Sequence, residues 1–441
     1  MVNVNNKILR LAVPNIISNI SVPILGMVDM ALLGHLKSPL FLGAMALASV
    51  IFNFLYWSFG FLRMGTTGMV AQAFGEQDEN LLTNLFFRAT IIGLSIGLVC
   101  IVFQSGISHL GFWLVEGSES LKAEAVRYFS VRIWAAPATI GLYALMGWSI
   151  GIQNARLPMF ITLLINCLNV ALSYLLIYKY QLNVVGAAAG TLVAQYVGFL
   201  SMLFYILYKY KWLRIHFNLR AIFNSADLLR FFTVNRDIFI RTICLLLVFN
   251  YFTSASAGLG ADILAMNTLL MQFLMFFSYL IDGFAYAAEA LVGELIGAKA
   301  YTELRRLIQR LFLWGGSISI AFCVVYGFFG QNILHLLTDQ QTILDEASAF
   351  LPWLAILPVV AFASYLWDGI YIGATASKWM RNTSFLAAFV VFFPIYFSVR
   401  PWFPVHGLWF AMIFYMGARG LLQWLLLGRA IPILKRNIED I

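Results

Sequence analysis

Long apolar runs alternate with short polar breaks along all 441 residues of the chain. A helix needs about 20 mostly apolar residues to cross the hydrocarbon core of a bilayer, and runs of that length recur regularly. They predict twelve membrane-spanning helices, near residues 11–36, 43–73, 85–107, 124–151, 157–178, 184–208, 238–259, 263–296, 307–330, 348–374, 380–399 and 405–427. The pattern is typical of an all-α polytopic membrane protein.

Composition and charge support a membrane protein and indicate its orientation. The chain is 61% hydrophobic and 11% charged, whereas soluble domains carry about 25% charged residues. Its net charge of +8 does not indicate nucleic-acid binding, because the basic residues lie mainly in alternate loops. The longest basic loop is Lys209–Arg236. By the positive-inside rule these loops are cytoplasmic, which predicts that both termini are cytoplasmic and that the protein lies in the cytoplasmic (inner) membrane.

The two halves of the chain resemble each other at an offset of about 222 residues. The matched positions are Val70–Gly75 with Val292–Gly297, Gly147 and Gly151 with Gly369 and Gly373, and Gly186 with Gly407. They predict two pseudo-symmetric bundles of six transmembrane helices each, with the transport pathway at their interface. The predicted boundaries are an N-terminal lobe over 1–208, a basic cytoplasmic linker over 209–236 and a C-terminal lobe over 237–441.

Five acidic residues fall inside predicted spans, namely Asp29, Asp282, Glu289, Glu294 and Asp368. Ionisable groups at membrane depth are costly and usually face a bundle interior or a water-filled path. A carboxylate shielded from water holds a proton more readily than one in solution. Asp29, alone in the first span, is therefore the first candidate for a proton site. Asp282, Glu289 and Asp368 are secondary candidates for coupling or substrate binding, and Glu294 lies near a span end.

Basic residues and a proline complete the candidates within the spans. Arg63, Arg132 and Arg241 are bases at membrane depth. Arg63 and Arg241 are assigned as structural charges, because a positive charge in the pathway would repel cations. The alternative for the acids is that they pair with such bases and serve only packing. Pro23 lies six residues before Asp29 and is the candidate hinge, because a proline removes a backbone hydrogen bond and favours a kink.

Several segments resemble the multidrug and toxic compound extrusion (MATE) family, and within it the DinF-like branch. The resemblance is carried by Pro23–Leu36, Phe59–Gly68, Asn235–Thr242, Asp282–Gly293 and Trp367–Thr375. It covers nearly the whole chain and follows its division into two halves. It implies twelve helices in two lobes and efflux of organic cations driven by inward H⁺ or Na⁺.

The resemblance also implies roles for particular residues. Asp29 matches the acid favoured as the ion-coupling residue, and Asp368 matches an acid associated with coupling in other branches. The family pattern in span five, Asn-x-x-Asn-x-x-x-Asp, is present here as Asn166, Asn169 and Ser173. Ser173 replaces the final acid, which leaves Asp29 as the only carboxylate of the implied N-terminal ion site.

The resulting hypothesis is a secondary active multidrug exporter. It would export cationic or amphipathic xenobiotics in exchange for inward H⁺ by alternating access, with Asp29 as the proton site. The alternatives are an Na⁺-coupled drug antiporter, and a flippase for a lipid-linked saccharide or another amphiphile. An enzyme is disfavoured, because the histidines lie at span ends or in loops and neither His-Glu-x-x-His nor Gly-x-Ser-x-Gly occurs. We expect a monomer in the lipid bilayer, with small-molecule substrates, no nucleic-acid partner, no metal site and no cofactor beyond the coupling ion.

Overall fold

The computed structural model describes residues 4–36, 38–115 and 117–432. Twelve helices in this part of the chain are long and apolar enough to cross a membrane, which confirms the predicted all-α polytopic fold. We number them spans 1 to 12. They are Val4–Gly34, Pro39–Gly75, Glu79–Val102, Glu119–Gly151, Arg156–Lys179, Asn183–Lys209, Ser225–Leu259, Ala261–Gly297, Tyr301–Leu337, Leu351–Gly373, Ser377–Val399 and Pro404–Ala430.

Local sequence explains where several spans begin and where their geometry changes. Ser38, Asp78 and Ser118 cap spans 2, 3 and 4 by accepting a hydrogen bond from a backbone N–H of the first turn. Span 2 consists of two α-helices, Pro39–Phe59 and Phe61–Gly75, that meet at Gly60. Four features interrupt or link the spans. They are a 3₁₀ turn in span 4 (Ile133–Ala135), π-helical turns in spans 5 and 11 (Leu175–Lys179 and Ala387–Phe392), and a further helix after span 3 (Gln104–Leu114).

The predicted basic linker is largely helical in the structure. It contains two short helices, Trp212–Ile215 and Leu219–Ile222, and span 7 begins at Ser225, well before the predicted start near residue 238. Arg88 of span 3 fixes this segment by donating hydrogen bonds to the carbonyl oxygens of Ile222 (2.8 Å) and Ala221 (3.0 Å) and to Asp227 (3.1 Å). The early start was missed because the polar residues 225–236 lack the apolar run by which the span was recognised.

Packing divides the chain into two units. The N-unit is Ile17–Phe231, and the C-unit is Met1–Ile16 with Phe232–Ile441. The first part of span 1 therefore packs with the C-terminal helices, although the sequence assigned all of 1–208 to one lobe. A close approach explains this, since a Cβ added at Gly283 would lie 2.9 Å from the Ala12 carbonyl oxygen. Nearby, Lys7 forms an ion pair with Glu294 at 3.6 Å, so Glu294 has a structural partner.

The glycines that revealed the sequence repeat make equivalent contacts in both units. In the N-unit a Cβ added at Gly147 would lie 2.5 Å from the Arg63 carbonyl oxygen, and in the C-unit one at Gly369 would lie 2.3 Å from that of Ala285. Each partner is shifted by the same offset of about 222 residues as the glycines. Small residues allow helix backbones to approach closely in membranes. The repeat therefore preserves a backbone contact between spans 2 and 4 and between spans 8 and 10.

We expect Gly369→Ala to lower the thermal stability of the protein. The added methyl group meets the Ala285 backbone, which cannot yield as a side chain can, and overpacking of this kind costs about 1–3 kcal/mol. Gly316→Ala in span 9 is the control, because a Cβ there has no neighbour within 4 Å. Thermal unfolding of the purified variants should show a lower Tm for Gly369→Ala and an unchanged or slightly higher Tm for Gly316→Ala. Equal Tm values would contradict the proposed contact.

Candidate functional site

Asp29 lies in the part of span 1 that belongs to the N-unit, where it is half-buried. Its Oδ1 atom is buried and has no hydrogen-bond partner among the described residues. An unpaired buried oxygen is costly for a carboxylate, and the cost falls when the oxygen binds a proton or a cation. The geometry of Asp29 is therefore compatible with the ion site predicted from the sequence.

Arg132 of span 4 is the base that acts on Asp29. Each charge contributes to the electrostatic environment of the other, although no Arg132 nitrogen lies within ion-pair distance of a carboxylate in the described structure. One Arg132 N–H donates to the Tyr128 hydroxyl at 2.7 Å. The guanidinium carbon lies 4.7 Å from the Phe52 ring centroid and 5.4 Å from that of Tyr128. Arg132 is thus held mainly by aromatic groups while its charge acts on Asp29.

The polar residues of span 5 lie on the same unit but do not contact Asp29 by any hydrogen bond in the part of the chain described. Asn166 donates to the carbonyl and hydroxyl oxygens of Ser21 at 3.2 and 3.0 Å. Ser21 is eight residues before Asp29, which corresponds to about 12 Å along a helix. Asn166 therefore contacts span 1 near Pro23 and binds a carbonyl oxygen of the turn that contains this proline.

Asn169 and Ser173 face span 6. Asn169 donates to Thr191 at 2.8 Å, and the Ser173 hydroxyl donates to Asn169 Oδ1 at 3.4 Å. A Cβ added at Gly190 would lie 2.6 Å from Ser173 Oγ, so the serine hydroxyl lies directly against the backbone of span 6. This contact gives a physical reason for a small residue at position 173.

A charged cluster lies inside the C-unit around Asp368 of span 10. This carboxylate is only 4% exposed. It accepts hydrogen bonds from Arg241 of span 7, from Arg419 of span 12 at 2.5 Å and from Gln423 at 2.6 Å. A carboxylate bound by two arginines and an amide is held in its charged form. The geometry of Asp368 therefore favours a structural role over the coupling role considered for it.

The remaining predicted residues occupy separate positions. Arg241 is buried in the Asp368 cluster, in agreement with the structural charge predicted for it. Arg63 is buried in the N-unit, and its carbonyl oxygen forms the contact with Gly147. On span 8, Glu289 is 1% exposed and Asp282 is half-buried. Pro23 lies within span 1, which continues as one helix from Val4 to Gly34.

Three residues of these clusters were not assigned to a site from the sequence. Arg132 was recognised as a base at membrane depth but was not linked to Asp29, because the two lie on different spans. Arg419 and Gln423 were overlooked in span 12. A systematic search for every arginine and glutamine inside the apolar runs would have found both, but not their shared partner.

Comparison with known proteins identifies the family. The MatE family profile matches residues 14–175 and 238–397. The chain belongs to the MatE family. The chain is also 37% identical over 412 residues to DNA damage-inducible protein F of Escherichia coli K12, covering 93% of the chain and 89% of that relative. This similarity confirms the predicted DinF-like branch.

More distant MatE relatives agree with this placement. Multidrug and toxin extrusion protein 1 of Oryctolagus cuniculus is 24% identical over 421 residues, covering 92% of the chain and 72% of that protein. A crystal structure of MATE in the straight conformation superposes with a TM-score of 0.89 at 19% identity, covering 98% of this chain and 97% of that one. The chain is thus a multi-pass membrane protein of a transporter family and not an enzyme.

The two MatE matches also account for the internal repeat. Each matched segment contains spans of one half of the chain, and the two begin about 224 residues apart. This spacing agrees with the glycine contacts shared by the two units. The charged groups do not follow the repeat, since the offset of about 222 residues places Met146 opposite Asp368 and Tyr251 opposite Asp29.

Proposed function

We propose that this MatE protein is a secondary active multidrug exporter that exchanges organic cations or amphipathic compounds for inward H⁺. The observation that carries the proposal is Asp29, whose Oδ1 is buried without a hydrogen-bond partner in the described structure. The name of the rabbit relative, a multidrug and toxin extrusion protein, supports this class of substrate. The substrates are small molecules, and the protein works as a monomer in the bilayer.

Transport proceeds by alternating access. In the outward-facing state Asp29 takes up a proton, and the bound compound leaves. In the inward-facing state the proton is released to the cytoplasm, and the ionised Asp29 then favours binding of the next cationic compound. The two ligands drive the cycle only through their different affinities for the two states. This scheme places both termini on the cytoplasmic side of the cytoplasmic membrane, as the basic loops favour.

The local chemistry around Asp29 favours H⁺ over Na⁺. A hard cation requires several oxygen ligands, and two potential oxygen ligands of the N-unit are engaged elsewhere, because Asn169 Oδ1 accepts from Ser173 and Thr191 accepts from Asn169. The positive charge of Arg132 also opposes a fixed metal cation beside Asp29. A proton adds to the carboxylate oxygen itself and requires no such ligand set.

Span 5 has a supporting role in this scheme. Asn166 binds the Ser21 carbonyl oxygen, two residues before Pro23. A bend at Pro23 alters this turn, so Asn166 links the hinge to span 5. Asn169 and Ser173 fix span 5 against span 6 and thereby support the same link. In the C-unit, Asp282 and Glu289 remain candidates for contact with the substrate.

A flippase for an anionic lipid-linked saccharide is the second candidate, favoured by the two buried arginines of the C-unit. Arg241 and Arg419 could in principle bind a pyrophosphate group. Both already bind Asp368, which reduces their capacity to bind another anion. The arginine pair therefore gives weaker support to the flippase than Asp29 gives to the exporter.

Transport by the purified protein in proteoliposomes tests the proposal. A pH gradient and an Na⁺ gradient are imposed separately while the movement of an ethidium-type dye is followed by fluorescence. We expect dye transport under the pH gradient and not under the Na⁺ gradient. Transport driven only by Na⁺ would replace H⁺ as the coupling ion, and absence of dye transport with translocation of a lipid-linked saccharide would favour the flippase.

A further inference from the structure

The aromatic residues around Arg132 form a site suited to a planar cation. We call Phe52, Tyr56, Tyr128 and Phe129 the aromatic cage. All four are at least 90% buried, and Phe52 stacks on Tyr56 and Phe129 with ring centroids 5.5 and 5.0 Å apart. Aromatic faces attract cations, and the attraction is stronger where water is excluded. The cage and the charge of Asp29 together provide the chemistry that recognises an organic cation.

We propose that Arg132 determines substrate specificity by occupying this cation site from within the protein. Its planar guanidinium lies over the Phe52 ring, where the charged part of a planar organic cation would be stabilised by the same ring and by Asp29. A substrate must then displace Arg132 before it gains these interactions. The inference rests on the proposed function for the class of substrate.

The bonding of Arg132 is compatible with displacement. It donates one hydrogen bond to Tyr128, and its Nε is buried without a partner among the residues described. Arg88 in the same unit shows the contrasting case, because its Nε donates to Ile222 and its charge is paired with Asp227. Arg88 is thus fixed by several directional bonds, whereas Arg132 depends mainly on the aromatic faces that a substrate would share.

The displacement also gives a basis for selecting among substrates. A monocation can replace the guanidinium without leaving Asp29 with an uncompensated charge, whereas a neutral molecule of the same shape cannot. The cage therefore discriminates by the charge of the ligand as well as by its flatness. Removing the internal cation should improve binding of cationic ligands in particular.

Binding to the purified full-length protein in detergent tests this inference. The probes are N-methylacridinium, a permanent cation, and acridine at pH 8, its neutral counterpart of nearly the same size. We expect Arg132→Gln to bind N-methylacridinium about tenfold more tightly than the wild type, the effect of removing one competing cation–π contact. Acridine binding should change little, and Arg132→Lys, which keeps the charge, should resemble the wild type.

Two further variants keep the test decisive. Arg127→Gln is the matched control, because Arg127 lies on the same helix with its side chain 69% exposed and paired with Glu124. It should leave both affinities unchanged. Tyr128→Phe keeps the ring but removes the hydroxyl that accepts from Arg132, so it should tighten N-methylacridinium binding to a smaller extent. It decides the question if Arg132→Gln does not fold.

The outcomes separate this inference from the proposed function. Unchanged or weaker N-methylacridinium binding by Arg132→Gln, in a protein whose wild type binds the dye and transports it, would overturn the role of Arg132 alone. Equal gains for acridine and N-methylacridinium would also overturn it, because they would indicate a steric effect. Failure of every variant to bind either probe would overturn both the inference and the proposed class of substrate.

Discussion

Asp29→Asn should abolish efflux driven by a pH gradient while leaving the fold intact. Asparagine has nearly the same shape as aspartate but cannot release a proton, so the exchange loses its coupling site. In proteoliposomes we expect at least a tenfold lower initial rate of dye transport than in the wild type, with an unchanged Tm because Asp29 accepts no hydrogen bond that stabilises the fold in the described structure. Asp29→Glu, which keeps a carboxylate, should retain part of the activity.

The control for this prediction is Asp262→Asn. Asp262 is an exposed acid in the first turn of span 8, and its substitution should leave transport unchanged. Full pH-driven transport by Asp29→Asn would remove Asp29 from the mechanism and would return attention to Asp282 and Glu289. A lower Tm with lost transport would instead assign Asp29 a structural role.

Asp368→Asn should have the largest effect on stability. The substitution removes the carboxylate that Arg241 and Arg419 share and leaves two buried guanidinium groups without a negative partner in the cluster. Breaking a buried ion pair by removing one partner costs about 3–5 kcal/mol. We therefore expect a much lower Tm and a poor yield of folded protein, measured by thermal unfolding and by size-exclusion chromatography in detergent.

Two comparisons sharpen the test of Asp368. Asp345→Asn alters an exposed acid of the short helix Gln341–Ser348 and should leave Tm unchanged. The double variant Asp368→Asn with Arg241→Gln removes one of the two orphaned charges and should recover part of the lost stability, as expected for residues in one network. A stable Asp368→Asn protein that has lost transport would show that Asp368 acts in coupling.

Hydropathy was sufficient to predict the twelve spans, because a backbone in lipid must satisfy its hydrogen bonds within the helix and a spanning helix is therefore long and apolar. The repeat could also be predicted, since close backbone contacts at Gly147 and Gly369 admit few other residues. The start of span 7 could not, because the polar turns at residues 225–236 are stabilised by Arg88 and not by lipid.

The partners of the charged residues were beyond the reach of the sequence. Asp29 stood out as a lone acid, but its electrostatic partner Arg132 lies about 100 residues away on another span, and helical spacing relates only residues of the same helix. Asp368 likewise looked like a coupling acid until the packing of spans 7, 10 and 12 placed two arginines beside it. The sequence identifies costly groups, whereas tertiary packing determines which of them remain unpaired.

Proton release on substrate binding tests the central role of Asp29 most directly. N-methylacridinium is added to the purified protein in weakly buffered detergent solution, at a pH where the wild type transports, and the pH change is recorded. Because the effects of two ligands on each other's binding are reciprocal, we predict release of up to about one proton per bound cation from the wild type and none from Asp29→Asn. Equal proton release by Asp29→Asn and the wild type would contradict the assignment of Asp29 as the proton site.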